Sequence, residues 1–310
     1  MFALVVNAWQ LVAECGRRIC RSARLMTMTE AQTISARATG EGRLGSFRVN
    51  RVGFGTMKLT GWPEGKQPSR ETAIALLRRA VELGVNHFDT SQFYDRDGVN
   101  ANELLHAALH PYPEDLVLVT KFAGAIPPGL TPDGLRQSVE ANLRTLGVDR
   151  LDVVNLRMGE AVAPAEGSLA EPLTGLAKLQ EEGLITHLGI SNITRAQFDQ
   201  ARDLAPFVCV QNAYNVAMRD ADPLIDACEE AGIAFVPFFP VGGFQPLLTE
   251  HLDTVATRHG ASVQQIALAW LLTRSPSILL IPGTTDPAHL EQNIAAANIR
   301  LTEEDLALIG

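Results

Sequence analysis

Short apolar runs alternate with amphipathic segments along most of this chain. From residue 49 onward the apolar runs predict eight strands, at residues 50–55, 86–89, 116–122, 151–157, 185–191, 207–211, 234–239 and 278–282. The segments between them repeat with the period of an α-helix. Because the runs are apolar throughout rather than alternating, they are typical of a parallel sheet that is covered by helices.

Two of the intervening segments carry specific signals for the ends of helices. In "SRETAIALLRRAVELG", Ile74, Leu77 and Val81 share one face, and the segment ends at Gly84, which suits a left-handed cap. The segment "TPDGLRQSVEANLRTLG" begins with Thr131 as N-cap, has proline at the first helical position and ends in glycine. These signals predict helices between the strands.

Strands that alternate with helices in this way predict an α/β fold, a closed (β/α)8 TIM barrel. The alternative is an open, doubly wound sheet, which usually has a glycine fingerprint after its first strand. Here "GFGTMKLTG" lacks the G-x-G-x-x-G spacing, so we favour the barrel. Residues 29–310 are expected to form this single domain, with "SARATGEGRLGSFRVNR" as a short hairpin at the N-terminal end of the barrel.

Residues 1–28 do not share this pattern. They place apolar residues before arginines, which is the reverse of the charge order in a secretory signal. Their apolar run is also too short to span a bilayer. We therefore expect a disordered leader or an over-long start assignment, and we exclude this segment from the fold.

Composition and charge narrow the classes of partner. The 310 residues are 46% hydrophobic, so the chain can form a large core, and its net charge of −9 disfavours nucleic acid and anionic membranes. The four cysteines lack metal-ligand spacing, and His106 and His110 have no acidic or cysteine partner nearby, so we expect no metal. The cytoplasm is the simplest location, and the oligomeric state stays open.

Three side chains with useful chemistry stand at the carboxyl ends of predicted strands. Asp89 ends the second strand, Tyr94 follows in the next turn, and Lys121 lies near the end of the third strand. In a (β/α)8 barrel these ends form one mouth, where active sites lie. We predict that the Lys121 ammonium lowers the tyrosine pKa from about 10 and that Asp89 keeps the lysine protonated. Such a tyrosine can donate a proton to a carbonyl oxygen.

Several longer motifs occur together along the chain, namely "GVNHFDTSQFY", "VLVTKF", "HLGISN", "VQNAYN", "QQIALAWLL" and "IPGTTDPAHLEQN". In this order they resemble the aldo-keto reductase superfamily over nearly all of the chain beyond residue 45. "GFGTMKLTG", "LDVVNLRMG" and "VQNAYN" are similar to its bacterial pyridoxal reductase branch in particular. The resemblance implies a nicotinamide-dependent reductase of a small carbonyl compound such as pyridoxal, with Tyr94 as the general acid.

The resemblance also implies which residues contact the cofactor and the substrate. The side chains expected to bind the nicotinamide carboxamide are Ser191, Asn192 and Gln211. Phe238 would stack on the nicotinamide, and Trp62 and Phe93 would face the substrate. Backbone amides in the 239–243 loop and near residue 284 would bind the phosphates. The other residues expected at the cofactor are Gly55, Thr56, Met57, Phe239, Pro240, Gly283 and Thr284, with Gln292 and Asn293 at the adenine.

Two features depart from the family pattern. Arg157 stands where many members have a histidine; its guanidinium could stabilise alkoxide charge but cannot relay a proton, and a structural ion pair is an equal alternative. No lysine or arginine lies between Pro282 and Asn293, where many members bind the adenosine 2′-phosphate. We therefore expect NADP(H) over NAD(H) by a modest margin. The alternative function is a cofactor-binding regulatory subunit with little turnover.

Overall fold

The structure is a computed structural model, and it describes residues 34–62, 64–123, 130–159, 163–243, 247 and 251–310. The leader expected at residues 1–28 lies outside the described residues, as do Cys15 and Cys20. Cys209 and Cys228 are buried free thiols.

Parallel strands close into a barrel. In chain order the strands are β1 Glu41–Leu44, β2 Phe47–Asn50, β3 Phe54–Gly55, β4 His87–Asp89, β5 Asp95–Arg96, β6 Val99–Asn100, β7 Val117–Ala123, β8 Leu151–Arg157, β9 Ile185–Ser191, β10 Cys209–Gln211 and β11 Ala234–Phe235. Seven of them form one sheet in the order β11-β10-β9-β8-β7-β4-β3. Parallel bridges from Leu280 to Val52 and from Ile278 to Phe235 join its two edges. The chain around residues 278–280 therefore takes the eighth position, and the predicted (β/α)8 barrel is confirmed.

The strand predictions differ in how well they match. The predicted strands at 151–157 and 185–191 agree with β8 and β9 to the residue. The predicted strand at 50–55 pairs regularly with the barrel only in β3, and the one at 234–239 only in β11. Beyond β11 the chain stays beside β10 through single contacts: the Val236 amide donates to the Val210 carbonyl at 2.7 Å, and a parallel bridge joins Phe238 to Ala213. Phe239 then takes a left-handed φ of 59° in the loop that follows. Apolar character alone does not reveal where such pairing stops.

Ten α-helices are described between and after the strands. They are α1 Arg70–Glu82, α2 Ala101–Leu109, α3 Pro132–Leu146, α4 Ala170–Glu181, α5 Arg195–Leu204, α6 Asp222–Ala231, α7 Leu252–His259, α8 Val263–Arg274, α9 Pro287–Ala295 and α10 Glu303–Ile309. Helix α3 has the predicted ends, because the Thr131 side chain accepts from the Gly134 amide and Gly147 has a left-handed φ of 68°. Within the described part of the chain, no helix meets the length and apolarity needed to cross a bilayer.

The three apolar residues predicted to share one face of α1 all lie at the core. Leu77 is fully buried, and Ile74 and Val81 are half-buried and pack against the same core cluster. The fully buried positions also include Ala73, Leu76 and Ala80. An apolarity pattern understates the two alanines because alanine is only weakly apolar.

The N-terminal hairpin closes the bottom of the barrel as predicted. Strands β1 and β2 pair antiparallel, and Leu44 and Val49 join the apolar cluster inside the barrel. A hydrogen bond to the barrel fixes the hairpin turn, because the Ser46 amide donates to His187 Nε2 in β9 at 3.1 Å. Gly45 has a φ of 64°, and a Cβ there would come within 2.6 Å of His187 Nε2, so both conformation and space require glycine.

A second hairpin, β5–β6, follows directly after Tyr94 and was not predicted. Its two-residue turn is Asp97-Gly98, with φ angles of 51° and 78°. Positive φ at both turn residues is typical of the type I′ turn, for which Asp-Gly is a favoured sequence. The dipeptide was therefore a usable signal, although strands of two residues carry too little periodicity to be recognised.

Candidate active site

The predicted catalytic trio comes together where β4 and β7 end. Lys121 Nζ donates to Asp89 Oδ1 at 2.8 Å and to the Thr90 carbonyl at 2.8 Å. The same nitrogen lies 4.8 Å from the centre of the Tyr94 ring. All three side chains are buried, with relative exposures of 4% for Asp89, 3% for Lys121 and 7% for Tyr94. The lysine is thus fixed between the carboxylate and the aromatic ring.

Both carboxylate oxygens of Asp89 and its backbone carbonyl accept hydrogen bonds. Gln211 Nε2 donates to its second carboxylate oxygen, Oδ2, at 2.8 Å. Its backbone carbonyl accepts from the Thr56 amide at 2.9 Å and from the Thr56 hydroxyl at 3.1 Å. A buried carboxylate is costly unless it is paired and hydrogen-bonded, and here both of its oxygens have donors. The carboxylate therefore presents a fixed negative charge to Lys121.

The segment that carries Tyr94 is also anchored. The Tyr94 amide donates to the Ser91 carbonyl at 3.0 Å, and the Ala101 amide, at the start of α2, donates to the Tyr94 carbonyl at 2.9 Å. Ser91 Oγ donates to the Lys121 carbonyl at 3.1 Å, which ties this turn to β7. The position of the phenol relative to the lysine is consequently set by the backbone of three elements.

The electrostatics correct one sequence-based expectation. Burial raises the pKa of Tyr94, and this effect outweighs the lowering by the Lys121 ammonium. Burial alone would lower the pKa of Lys121, but Asp89 and Tyr94 raise it overall. The predicted net lowering of the tyrosine pKa was therefore wrong, because the sequence does not reveal how completely the phenol is desolvated. Tyr94 is protonated at neutral pH and Lys121 is charged.

Arg157, at the end of β8, lies beside this trio. Its Nη1 donates to Ser191 Oγ at 3.2 Å, and its guanidinium lies 4.8 Å from the centre of the Phe238 ring. Burial lowers the pKa of Arg157, while its acidic neighbours Tyr94 and Asp89 act in the opposite direction. A guanidinium retains its charge under such shifts. The mouth therefore contains a second fixed cation.

A cavity of about 490 Å³ opens at the mouth, and we call it the inner cavity. Asp89 and Tyr94 form part of its wall. The other lining residues include Gly55, Met57, Lys58, Phe238, Phe239, Pro240, Val241, Gly243, Ile281 and Gly283. Six of these positions were expected from the resemblance, and they combine an aromatic wall with a glycine-rich backbone.

A second cavity of about 630 Å³, the outer cavity, adjoins the first. Lys58, Val241 and Gly283 line both. The other residues around it are Gln264, Thr284, His289, Gln292 and Asn293. Two cavities that share three residues make one elongated groove, which leads from Tyr94 to the predicted adenine residues.

The two ends of this groove differ in chemistry. The rings of Phe238 and Phe239 line the end near Tyr94. The amide side chains of Gln264, Gln292 and Asn293 line the other end. Gly243 has a φ of 62°, and a Cβ there would lie 2.4 Å from the Phe239 ring, so a side chain would collide with the groove wall. Among the described residues, no group of three or more His, Cys, Asp or Glu side chains could hold a metal ion.

Lys58 is a groove residue that the sequence reasoning missed. It lies in a short 3-10 helix, Met57–Thr60, directly after three expected cofactor residues, and it is exposed where the two cavities meet. The prediction searched for cations only near Pro282. The position next to Met57 was the available signal, but its relation to the distant outer cavity depends on the closure of the barrel.

The three predicted carboxamide ligands lie together but are already engaged within the protein. Gln211 Nε2 bonds Asp89, and Ser191 Oγ accepts from Arg157. Asn192 Nδ2 donates to two backbone carbonyls, at 2.9 and 2.8 Å, and its φ is 56°. All three are at most 1% exposed. Thr56 is likewise fully buried, with its hydroxyl bonded to Asp89.

Trp62 and Phe93, the aromatic residues expected to face the substrate, pack against the phenol ring of Tyr94. Neither is among the residues that line the inner cavity. The Trp62 ring centre lies 5.5 Å from that of Tyr94 and 5.8 Å from that of Phe93. The Phe93 and Tyr94 rings meet edge to face at 5.2 Å. These separations are typical of interacting aromatic pairs. Trp62 and Phe93 are both half-buried, which leaves part of each ring accessible.

A desolvated phenol beside a lysine–aspartate pair, at the mouth of a (β/α)8 barrel and next to an elongated groove, has the chemistry of a carbonyl oxidoreductase. The family model described as "Aldo/keto reductase family" matches residues 51–310. The chain therefore belongs to the aldo/keto reductase family, whose members are oxidoreductases, and the predicted family is confirmed.

Individual relatives agree with this assignment. Pyridoxine 4-dehydrogenase of Escherichia coli (strain K12) is 49% identical over 275 residues, which cover 86% of this chain and 96% of that protein. The crystal structure of a thermostable aldo-keto reductase, Tm1743, in complex with the inhibitor epalrestat superposes with a TM-score of 0.75 at 31% identity, covering 87% of this chain and 98% of that one. An aldo/keto reductase from Klebsiella pneumoniae in complex with NADP and acetate has a TM-score of 0.74 at 27% identity, covering 87% and 93%.

Proposed function

We propose that this protein is an NADP(H)-dependent carbonyl reductase that interconverts an aromatic aldehyde, such as pyridoxal, and its alcohol. The observation that carries the proposal is the buried Asp89–Lys121 pair beside the Tyr94 phenol at the inner cavity. The chain is 49% identical to a pyridoxine 4-dehydrogenase over 96% of the length of that protein, and this similarity supports the substrate class. We place the activity in the cytoplasm.

The roles of the residues follow from their chemistry. When bound, the reduced nicotinamide supplies a hydride to the carbonyl carbon. Tyr94 donates its phenolic proton to the carbonyl oxygen, and the Lys121 ammonium stabilises the phenolate that is left behind. Asp89 keeps Lys121 charged and fixed in position. Arg157 stabilises negative charge that develops on the carbonyl oxygen.

The groove residues support NADP(H) as the cofactor. Phe238 would flank the nicotinamide in the inner cavity, and Gln292 and Asn293 would contact the adenine in the outer one. Lys58 lines the outer cavity and supplies an ammonium group there. An ammonium can attract phosphates, but it does not form the arginine fork that grips a 2′-phosphate most selectively. The preference over NAD(H) should therefore be modest.

The regulatory-subunit alternative is not supported. A protein that only binds the cofactor has no need of a desolvated phenol with a paired ammonium beside it, because neither group is expected to hold the dinucleotide. Maintaining such a buried pair is costly in desolvation. The similar Escherichia coli protein is a dehydrogenase.

The proposed function can be tested with the purified protein. Titration of NADPH and of NADH, followed by protein fluorescence, should give a tighter dissociation constant for NADPH by roughly 3–10-fold, a difference that corresponds to about 1 kcal/mol. Pyridoxal and other aromatic aldehydes should then be reduced with consumption of NADPH. Equal or tighter binding of NADH would contradict the cofactor preference, and no oxidation of NADPH by any aldehyde would contradict the function.

Arg157 has its own expected effect. Arg157→Ala should lower kcat by roughly 10–100-fold, because it removes a charge that acts only when the carbonyl oxygen becomes negative. The dissociation constant of NADPH should change less than kcat does, because the guanidinium acts on charge that forms during the reaction. Arg157→Lys retains the charge and should recover part of kcat. Steady-state kinetics with wild-type values for both variants would instead assign Arg157 to a purely structural role.

A further inference from the structure

Hydrogen bonds connect the β5–β6 hairpin to residues 60–62, 64 and 65, which we call the Trp62 segment. Arg96, in β5, donates from Nη1 to the Gly61 carbonyl at 2.7 Å and to the Gly65 carbonyl at 3.0 Å. These two carbonyls lie on either side of Trp62 in sequence. A guanidinium that bonds both fixes the backbone from which the indole projects, and charge-assisted bonds of this kind are stronger than neutral ones.

A second side chain joins the same two segments. Gln67 Nε2 donates to the Thr60 carbonyl at 2.8 Å and to the Arg96 carbonyl at 2.9 Å. The hairpin is itself rigid, since its turn is the type I′ Asp97-Gly98 described above. The Trp62 segment is thus held against a stiff support that begins one residue after Tyr94.

The Trp62 segment also has bonds of its own, since the Gly61 amide donates to the Lys58 carbonyl at 3.1 Å and the Trp62 amide to Thr60 Oγ1 at 3.3 Å. The bonds from Arg96 add a connection from this segment to the hairpin. Gly61 has a left-handed φ of 66°, and glycines lose more conformational entropy on ordering than other residues do. The indole nevertheless lies in contact distance of both Phe93 and Tyr94. Arg96 therefore supplies interactions that offset the cost of ordering this segment.

We propose that Arg96 is a positioning residue that sets the specificity for aromatic carbonyl compounds. It does so by holding the Trp62 indole against the rings of Phe93 and Tyr94. A flat aromatic aldehyde gains a ring contact from a fixed indole, whereas a small aliphatic aldehyde gains almost nothing from it. This inference rests on the proposed reductase function. Arg96 acts only through Trp62 and does not touch the substrate.

The ion pair of Arg96 offers a matched control. Its Nε lies 3.3 Å from Asp97 Oδ2, but the Asp97 side chain is 74% exposed, so this pair contributes little. Asp97→Asn removes the pair and keeps the bonds from Arg96 to the two carbonyls. Asparagine also tolerates the left-handed φ at this position.

The test compares benzaldehyde with propanal as substrates, through the ratio of their kcat/KM values, in a double-mutant cycle. Arg96→Ala should lower this ratio by roughly 2–10-fold, the effect of losing one aromatic contact, chiefly through a higher KM for benzaldehyde. Trp62→Ala should lower the ratio at least as much. The Arg96→Ala/Trp62→Ala double variant should match Trp62→Ala alone, because a residue that acts through another has no effect once its target is gone. Asp97→Asn should keep the wild-type ratio, and Arg96→Lys should recover part of it.

Three results would overturn the inference. One is an unchanged ratio in Arg96→Ala, and another is a double variant in which the two effects multiply. The third is an equal loss of kcat for both aldehydes, which would place the effect on Tyr94 instead. Thermal unfolding midpoints and NADPH dissociation constants for all variants check that fold and cofactor site are intact. If wild-type protein reduces neither aldehyde, the proposed function fails first, and the two failures are thereby distinguished.

Discussion

Tyr94→Phe should lower kcat for aldehyde reduction by roughly 10²–10⁴-fold, the range that general acid catalysis usually contributes. The substitution keeps the ring and its contacts with Trp62 and Phe93, at 5.5 and 5.2 Å between ring centres, but removes the transferable proton. The measurement is single-turnover oxidation of bound NADPH by an aromatic aldehyde. It isolates hydride transfer from product release.

The control for Tyr94→Phe is cofactor binding. The dissociation constant of NADPH should stay within about threefold of the wild-type value, since a phenol at the reacting end contributes little to binding of the whole dinucleotide. Equal single-turnover rates in the variant and the wild type would remove Tyr94 as the proton donor. A large loss of NADPH affinity would instead assign the phenol to the cofactor site.

Lys121→Met should have the next largest effect, lowering kcat for reduction by roughly 10²-fold, because the phenolate formed by proton transfer loses its neighbouring cation. The sign of the pH effect follows from the same cause. Lys121 lowers the pKa of Tyr94 against the rise due to burial, so its removal raises that pKa further. Alcohol oxidation, which requires the phenolate, should increase only at higher pH than in the wild type. Reduction should keep its plateau to higher pH, at the lower rate.

Stability needs a separate control here, since Lys121→Met leaves the Asp89 carboxylate buried without its cation. Breaking a buried pair by removing one partner typically costs about 3–5 kcal/mol. The double variant Asp89→Asn/Lys121→Met removes both charges and should unfold nearer to the wild-type temperature. If this stable double variant retains wild-type turnover and pH dependence, the pair does not assist Tyr94.

The alternation of apolar runs with amphipathic helices was enough to predict the barrel. Residues that follow apolar strands share one edge in such a fold, which brought Asp89, Tyr94 and Lys121 into one hypothesis before any distance was known. Helix signals of purely local origin, such as Thr131 before proline, were also reliable. Their physical basis lies in backbone groups a few residues apart, so the local sequence contains all that is needed.

Predictions that depended on distant partners were weaker. Gln211 was expected at the cofactor, but nothing in the sequence indicated the bond from its amide to Asp89, which is 122 residues away along the chain. Lys58 was overlooked because only the closed barrel brings it to the same cavity as Gln292 and Asn293. The local sequence pattern predicts neither the Gln211–Asp89 bond nor the position of Lys58. The residues of one strand do not specify which distant residues they will contact in the folded barrel.

The sequence by itself determined the fold class, the caps of the clearest helices, the N-terminal hairpin and the grouping of Asp89, Tyr94 and Lys121 at one mouth. Only the tertiary structure decided the direction of the Tyr94 pKa, the clamp of Arg96 on the Trp62 segment and the continuity of the groove. The reason is physical. Periodicity and capping are properties of neighbouring residues, whereas desolvation, long-range hydrogen bonds and cavities arise from surfaces that meet only after the chain has folded.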